Sequence, residues 1–338
     1  MKRLYLLTIA IATALLSLTS CVHEWPELPA TRDVRLTVRH ELPWTLFDFL
    51  VQTRGRGDIA SVDAVRYIFE VYPAGSTERP VSRFTLTRDD MSLADFTTDV
   101  PLPQGEWDIY VWSDFAESDS GLSPYYDASS FGSVKTLMPY RGDTSLKDAF
   151  QGKFHASVPA STAETVDVEC EVTLRRPLTA YAFLSTDLHE FIDQETRRNA
   201  PDSNPEDSPG IPGLIDFNRY RARFTYTGYL PVEYSVLRNR PVDSASGLSF
   251  EGEIKVVNSD EVLVGFDYFL INGAESTISV ALEIFDEKGA LVSSTPSFII
   301  PVQRNRATIV RGDFLTSQAH GGIGVNPDFD GEFNIEIR

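Results

Sequence analysis

The sequence predicts a mainly β protein: two tandem antiparallel β-sandwich domains with one short helix. Three observations carry this expectation. Short segments that alternate apolar and polar residues recur along most of the chain, the pattern of strands with one buried face. Turn signals such as Pro73 with Gly75, Pro103-Gln104-Gly105 and Lys288-Gly289 punctuate them at short intervals. Only one segment has convincing helical spacing, and 338 residues exceed what a single core usually organises.

The first element is a targeting segment. Lys2-Arg3 precede an apolar run from Leu4 to Leu18 that is too short for a stable membrane-spanning helix, so residues 1–20 read as a signal peptide. Leu18, Thr19 and Ser20 lead into Cys21 as in a bacterial lipobox, which makes Cys21 the predicted lipid attachment site at the start of the mature chain. Acyl chains contribute about 0.8 kcal/mol per buried methylene, so a multiply acylated cysteine holds a folded domain on a membrane without any spanning helix. Residues 21–33 carry Pro26 and Pro29 without periodicity and read as a tether.

The N-terminal β-sandwich is assigned to residues 34–158. Val34, Leu36 and Val38 alternate with Arg35, Thr37 and Arg39 in the first strand; further strands follow at Val65 to Val71, Val81 to Thr87 and Trp107 to Trp112. Residues 116–161 are rich in Ser, Asp, Gly and Tyr and read as long loops. The C-terminal β-sandwich, residues 159–338, opens on the clearest alternation, Val166 to Leu174, which puts Cys170 on the apolar face. A strand through Tyr181 and Phe183 leads to Leu188, Phe191 and Ile192 at helical spacing behind Thr186-Asp187, a capping pair. Residues 199–212 read as a loop, and strands resume at Tyr220 to Tyr226, Val232 to Leu237, Leu248 to Val257, Val262 to Ile271, Thr277 to Phe285, Leu291 to Ile300 and Phe333 to Ile337.

Charge and cysteine usage narrow the function classes. The net charge of −19 becomes −21 once Lys2 and Arg3 leave with the signal, so a phosphate backbone meets mostly repulsion and nucleic acid is not an expected partner. With Cys21 carrying lipid, Cys170 has no intrachain disulfide partner and is expected to be a small core residue. His23, His40, His155, His189 and His320 are scattered and read as loop or surface residues, not as a metal centre. No hydrolase elbow, phosphate loop or dinucleotide fingerprint appears, so neither enzyme nor cofactor is expected.

Three signals invite a binding function. Arg-Gly-Asp tripeptides start at Arg56, Arg141 and Arg311, but they need exposed loop tips to be read, and Gly-Asp is ordinary turn chemistry. Asp328, Asp330 and Glu332 around Gly331 fall short of a calcium loop in spacing and ligand number; a tight turn is the expectation. Tyr125, Tyr126 and Phe131 offer rings for stacking on sugars, the basis of an alternative function as a surface glycan-binding lipoprotein; packing against the sandwich edge is the favoured reading.

A resemblance covers most of the mature chain. The segments PVQRNRATIVRGDFLTS from Pro301 to Ser317, Gly321-Gly322 and NPDFDGEFNIEI from Asn326 to Ile337 resemble the ending of Bacteroidota lipoproteins close to fimbrillins and fimbrial anchor subunits. Asp148-Ala149-Phe150-Gln151-Gly152 and Arg176-Pro177-Leu178-Thr179-Ala180 are further matches. The resemblance implies two transthyretin-like, fimbrillin-like domains and a place on the outer membrane at the cell surface. It also implies a structural or adhesion role, as a fimbrial anchor or accessory subunit, with other fimbrial subunits as partners by strand exchange. In fimbrillins that polymerise, a protease cuts after an arginine near the N-terminus and frees a strand, which makes Arg32 and Arg39 the candidate protease sites. Anchor subunits keep that strand.

Overall fold

The structure is a computed structural model and describes residues 31–42, 59, 61–159, 168–199, 215–316, 323–326 and 332–337. The signal segment, the lipobox and Cys21 lie outside the described residues, as do the first Arg-Gly-Asp, His23, His320 and most of the acidic turn after Asn326.

The first half comprises β1 (Thr31–His40), β2 (Ala64–Pro73), β3 (Ser82–Arg88), β4 (Phe96–Pro103), β5 (Gly105–Ala116), β6 (Tyr126–Asp127), β7 (Val134–Thr136) and β8 (Ala149–Val158). Next come β9 (Glu169–Leu174), β10 (Leu178–Ser185) and the helix α1 (Leu188–Asn199). The remainder is β11 (Arg221–Tyr226), β12 (Tyr229–Ser235), β13 (Arg240–Ser246), β14 (Ser249–Gly252), β15 (Lys255–Val256), β16 (Val262–Leu270), β17 (Glu275–Phe285), β18 (Leu291–Ser294), β19 (Phe298–Gln303), β20 (Ala307–Gly312), β21 (Ile323–Asn326) and β22 (Glu332–Ile337).

These strands build a mainly β fold of packed sheets. A four-stranded sheet, β3-β2-β5-β8, packs against a three-stranded sheet, β4-β1-β9. A six-stranded sheet, β15-β16-β10-β20-β22-β21, packs against β14-β11-β17, with β18 and β19 both on the far side of β17. A small sheet, β13-β12-β7-β6, joins strands from both halves, with Tyr234 opposite Val134. Three pairings, β1 with β9, β10 with β20 and β20 with β22, are parallel, so the sheets are not purely antiparallel as expected.

The alternation expected for the first strand is borne out. Val34, Leu36 and Val38 are fully buried in β1, which starts three residues earlier than the expected strand. The helix is present, with Leu188, Phe191 and Ile192 buried and Phe191 packed on Phe217 and Tyr220. The Asp187 carboxylate, just before the helix, accepts from the Thr316 N–H and hydroxyl, both at 2.7 Å, and ties the helix start to the segment after β20.

The expectation for residues 116–161 needs correction. Residues 116–161 are not only loops, because β8 runs through them with Phe150, Gly152, Phe154, Ala156 and Val158 inward and Gln151, Lys153, His155 and Ser157 less buried or exposed. Glycine and alanine at two inward positions weaken the apolar period there. β10 and β16 are buried on both faces. Ala180, Ala182 and Leu184 of β10 join the core beneath β1, and Tyr181 and Phe183 join the core that holds α1. One sheet thus serves two cores.

Candidate functional site: the first strand and its clamp

β1 is the middle strand of its sheet. It pairs antiparallel with β4 from Thr31 to Val38 and parallel with β9 from Arg35 to His40, so Arg35 to Val38 are paired on both edges. Its inward side chains fill a slot in the first core. Outward, Arg35 lies 3.8 Å from Asp99, and Arg39 lies 3.7 Å from Asp95 and 3.2 Å from Glu171. These exposed ion pairs contribute little each, about 0–1 kcal/mol, but they add register to the ladder. Arg32 stands opposite Leu102 of β4, and Arg39 opposite Thr173 of β9, so both candidate protease sites sit at singly paired ends of the strand.

The segments that carry the family resemblance converge where β1 ends. Glu41 donates its backbone N–H to the Leu174 carbonyl at 3.0 Å, and its carboxylate accepts from Arg175 Nε at 2.6 Å and Asn305 Nδ2 at 3.0 Å. Arg175 and Gln151 exchange two backbone hydrogen bonds of 2.9 Å, which docks the Asp148 motif on the Arg176 motif. Arg176, the residue after Arg175, and Asp148, which precedes Gln151 in the same motif, form a buried ion pair: Nε is 2.9 Å from both carboxylate oxygens and Nη2 is 2.8 Å from Oδ2. The guanidinium also lies over the Phe150 ring at 4.8 Å. Asn305 donates its backbone N–H to the Leu178 carbonyl at 2.8 Å, which brings in the third motif.

Gly152 permits this convergence. A Cβ there stands 2.8 Å from Leu174 Cδ2 and 2.9 Å from Val172 Cγ2, closer than real carbon contacts, so β8 and β9 approach only because the position has no side chain. His40 closes the end of β1, edge-on to Phe150 at 5.0 Å between ring centroids. Burial depresses its imidazole to about 4, against a smaller raising effect from Asp95. His40 is therefore a half-buried strand residue and not the surface histidine expected; His155 and His189 are exposed and face carboxylates.

A cleft of about 540 Å³ opens beside the clamp, lined by Gln151, Arg175, Asn239, Arg304 and Asn305 among others. Glu41 and Asp148 already answer Arg175 and Arg176, so the cleft is less cationic than its arginine content suggests.

Elsewhere the candidate glycan contacts are buried rings, in line with the favoured packing reading. Tyr125, Tyr126 and Phe131 are 2%, 2% and 1% exposed, so their faces are spent on the core and not offered to a sugar. Tyr126 packs edge-on to Trp112 and donates to the Lys147 carbonyl at 2.7 Å, while Arg83 lies over the Phe131 ring. The second Arg-Gly-Asp is closed too: Asp143 is buried and accepts from the Glu253 N–H, and a Cβ at Gly142 meets the Phe250 ring at 2.6 Å. The third lies at the end of β20. Cys170 lies on the inward face of β9 but is only partly buried.

Among the described residues no group of His, Cys, Asp and Glu is placed to hold a metal ion, and no helix is long and apolar enough to cross a membrane.

In sequence, no curated protein matches the chain. In fold, the chain is similar to several solved structures. One is the tip fimbrial protein Mfa3 from Porphyromonas gingivalis, at 12% identity and a TM-score of 0.40, covering 91% of this chain and 98% of that one. Another is the fimbrial anchor protein Mfa2 from the same organism, at 10% identity and a TM-score of 0.37, covering 80% and 82%. A third, from Bacteroides thetaiotaomicron, is described as a candidate polysaccharide-binding protein, at 12% identity and a TM-score of 0.40, covering 77% and 79%. A family profile matches residues 29–338, nearly the whole chain, and the chain therefore belongs to DUF6562, a family of unknown function.

Proposed function

We propose that this chain is a lipid-anchored, non-enzymatic structural or adhesion component of the outer cell surface, of the fimbrial anchor or accessory type, and that it keeps its first strand. The observation that carries the reading is the placement of β1 between β4 and β9 with Val34, Leu36 and Val38 fully buried. Fully burying one such side chain is worth about 1.5–3 kcal/mol, so emptying the slot forfeits roughly 5–9 kcal/mol before any lost backbone pairing is counted. It also leaves β4 and β9 with unpaired inner edges, a state that needs a donor strand. The Glu41 clamp adds further contacts at the exit.

The lipid anchor rests on the lipobox from Leu18 to Cys21 and on the tether that follows. Partners are the membrane, through the lipid, and other surface subunits. Burial of Tyr125, Tyr126 and Phe131 removes the support for the glycan-binding alternative.

Two measurements on protein from its own cells test the reading. Intact-mass analysis is expected to find an acylated chain starting at Cys21; chains starting at Asp33 or His40 in high-molecular-weight polymers overturn it. Cys21→Ser is expected to fold normally and to leave the membrane fraction, and retention of that variant on washed membranes refutes the anchor.

A further inference from the structure

Three buried ion pairs cross the interior: Arg66 with Asp114, Arg176 with Asp148, and Lys147 with Asp267. The first two use guanidinium, which is permanently charged and a poor nucleophile. The third does not. Lys147 is 1% exposed, the one buried lysine among the described residues, and its Nζ lies 2.9 Å from Asp267 Oδ1; Asp267 is fully buried. Both phenols of Tyr140 and Tyr226 donate to the other carboxylate oxygen, Oδ2, each at 2.5 Å. The Lys147 amine also sits 3.8 Å from the centre of the Tyr140 ring, and Tyr181 packs edge-on to Tyr226.

We propose that Lys147 and Asp267 condense into an intramolecular isopeptide bond that joins the two halves of the chain covalently. In water an amine and a carboxylic acid are both ionised and inert toward each other. Here burial pushes the lysine down and the aspartate up, toward the neutral pair that reacts. Permanent apposition supplies the effective concentration that a bimolecular reaction lacks.

The step balances without any co-reactant. The ammonium passes one proton to Oδ1, and the freed Nζ lone pair attacks Cγ to form the C–N bond. Negative charge gathers on Oδ2, where the Tyr140 and Tyr226 hydroxyls already point, an arrangement equivalent to an oxyanion hole. A second proton then moves from nitrogen to Oδ1, the Cγ–Oδ1 bond breaks, and Oδ1 leaves as water. The product is a neutral amide in place of two buried charges, which removes a desolvation penalty as well as making a bond. Lys147 ends the turn before β8 and Asp267 lies within β16, so the bond fastens the first core to the double-faced central sheet. That link keeps the two halves from parting. The inference does not depend on the anchoring reading, and the two tests fail separately.

The full chain, denatured and digested with trypsin, provides the test. Expected is a linked pair of peptides, residues 142–153 and 256–288, one water lighter than their sum and stable to reductant, with no cleavage after Lys147. Lys147→Arg is expected to abolish the linked species. Tyr226→Phe, refolded from denaturant, is expected to form it roughly 100-fold more slowly, by loss of one oxyanion donor. Wild-type protein that stays unlinked after prolonged incubation in the folded state, with trypsin cutting after Lys147, overturns the proposal whatever the variants do.

Discussion

Arg176→Met keeps much of the aliphatic stem but removes the charge that faces Asp148 and lies over the Phe150 ring. Asp148 is 4% exposed and retains a hydrogen bond from the Ala149 N–H at 2.9 Å, so its carboxylate is left in an apolar setting with far too little compensation. Breaking a buried pair in this way costs about 3–5 kcal/mol. Asp148→Leu strands the guanidinium and is expected to cost a similar amount. In the double variant no uncompensated charge remains, and replacing a buried pair by apolar groups is often close to neutral, so the double loss should be about 0–2 kcal/mol. The expected coupling energy is therefore large, several kcal/mol, and the double variant should be more stable than either single one. Urea denaturation followed by tryptophan fluorescence measures all four corners of the cycle, with unchanged slopes as the check on two-state behaviour. Additive losses refute the reasoning: they mean that the pair does not hold the two motif segments together and that each side chain acts through other contacts.

Further outcomes follow from β1, β8 and β9. Gly152→Ala is expected to destabilise by about 1–3 kcal/mol, because the new methyl lands within 2.9 Å of Val172 and Leu174 and β8 must move away from β9; an unchanged denaturation midpoint contradicts the close approach. His40 binds a proton less readily folded than unfolded, so the unfolded state takes up more protons between pH 6.5 and about 4, and stability falls as pH drops through that window. The shift corresponds to roughly 3 kcal/mol, and His40→Gln should flatten the stability profile there. His155 works in the opposite sense, since hydrogen bonds to Asp108 and Glu106 raise it and its contribution is lost as pH rises. Cys170 is only partly buried, and burial raises its thiol, so a thiol reagent is expected to label the native protein slowly and the unfolded protein at once; equal rates place it outside the core.

Much of the fold was legible from local pattern. The period of two at Val34 to Val38 and at Val172 to Leu174 identifies the faces that are buried, and the spacing of Leu188, Phe191 and Ile192 identifies the helix, because these signals report which side of an element leaves water. The family segments at Asp148, Arg176 and Asn305 were legible as motifs, although nothing local says that they meet. Pairing lies beyond such signals. That β9 lies parallel to β1, that Glu41 takes both Arg175 and Asn305, and that Lys147 meets Asp267 are decided by contacts between residues far apart in the chain. Continuous apolar strands such as β10 hide a second buried face, since alternation vanishes when both sides are covered. Tyr125, Tyr126 and Phe131 show the same limit in a segment without strong period. There the sequence by itself determines only that rings are present, and the sheets packed over them decide that they are core.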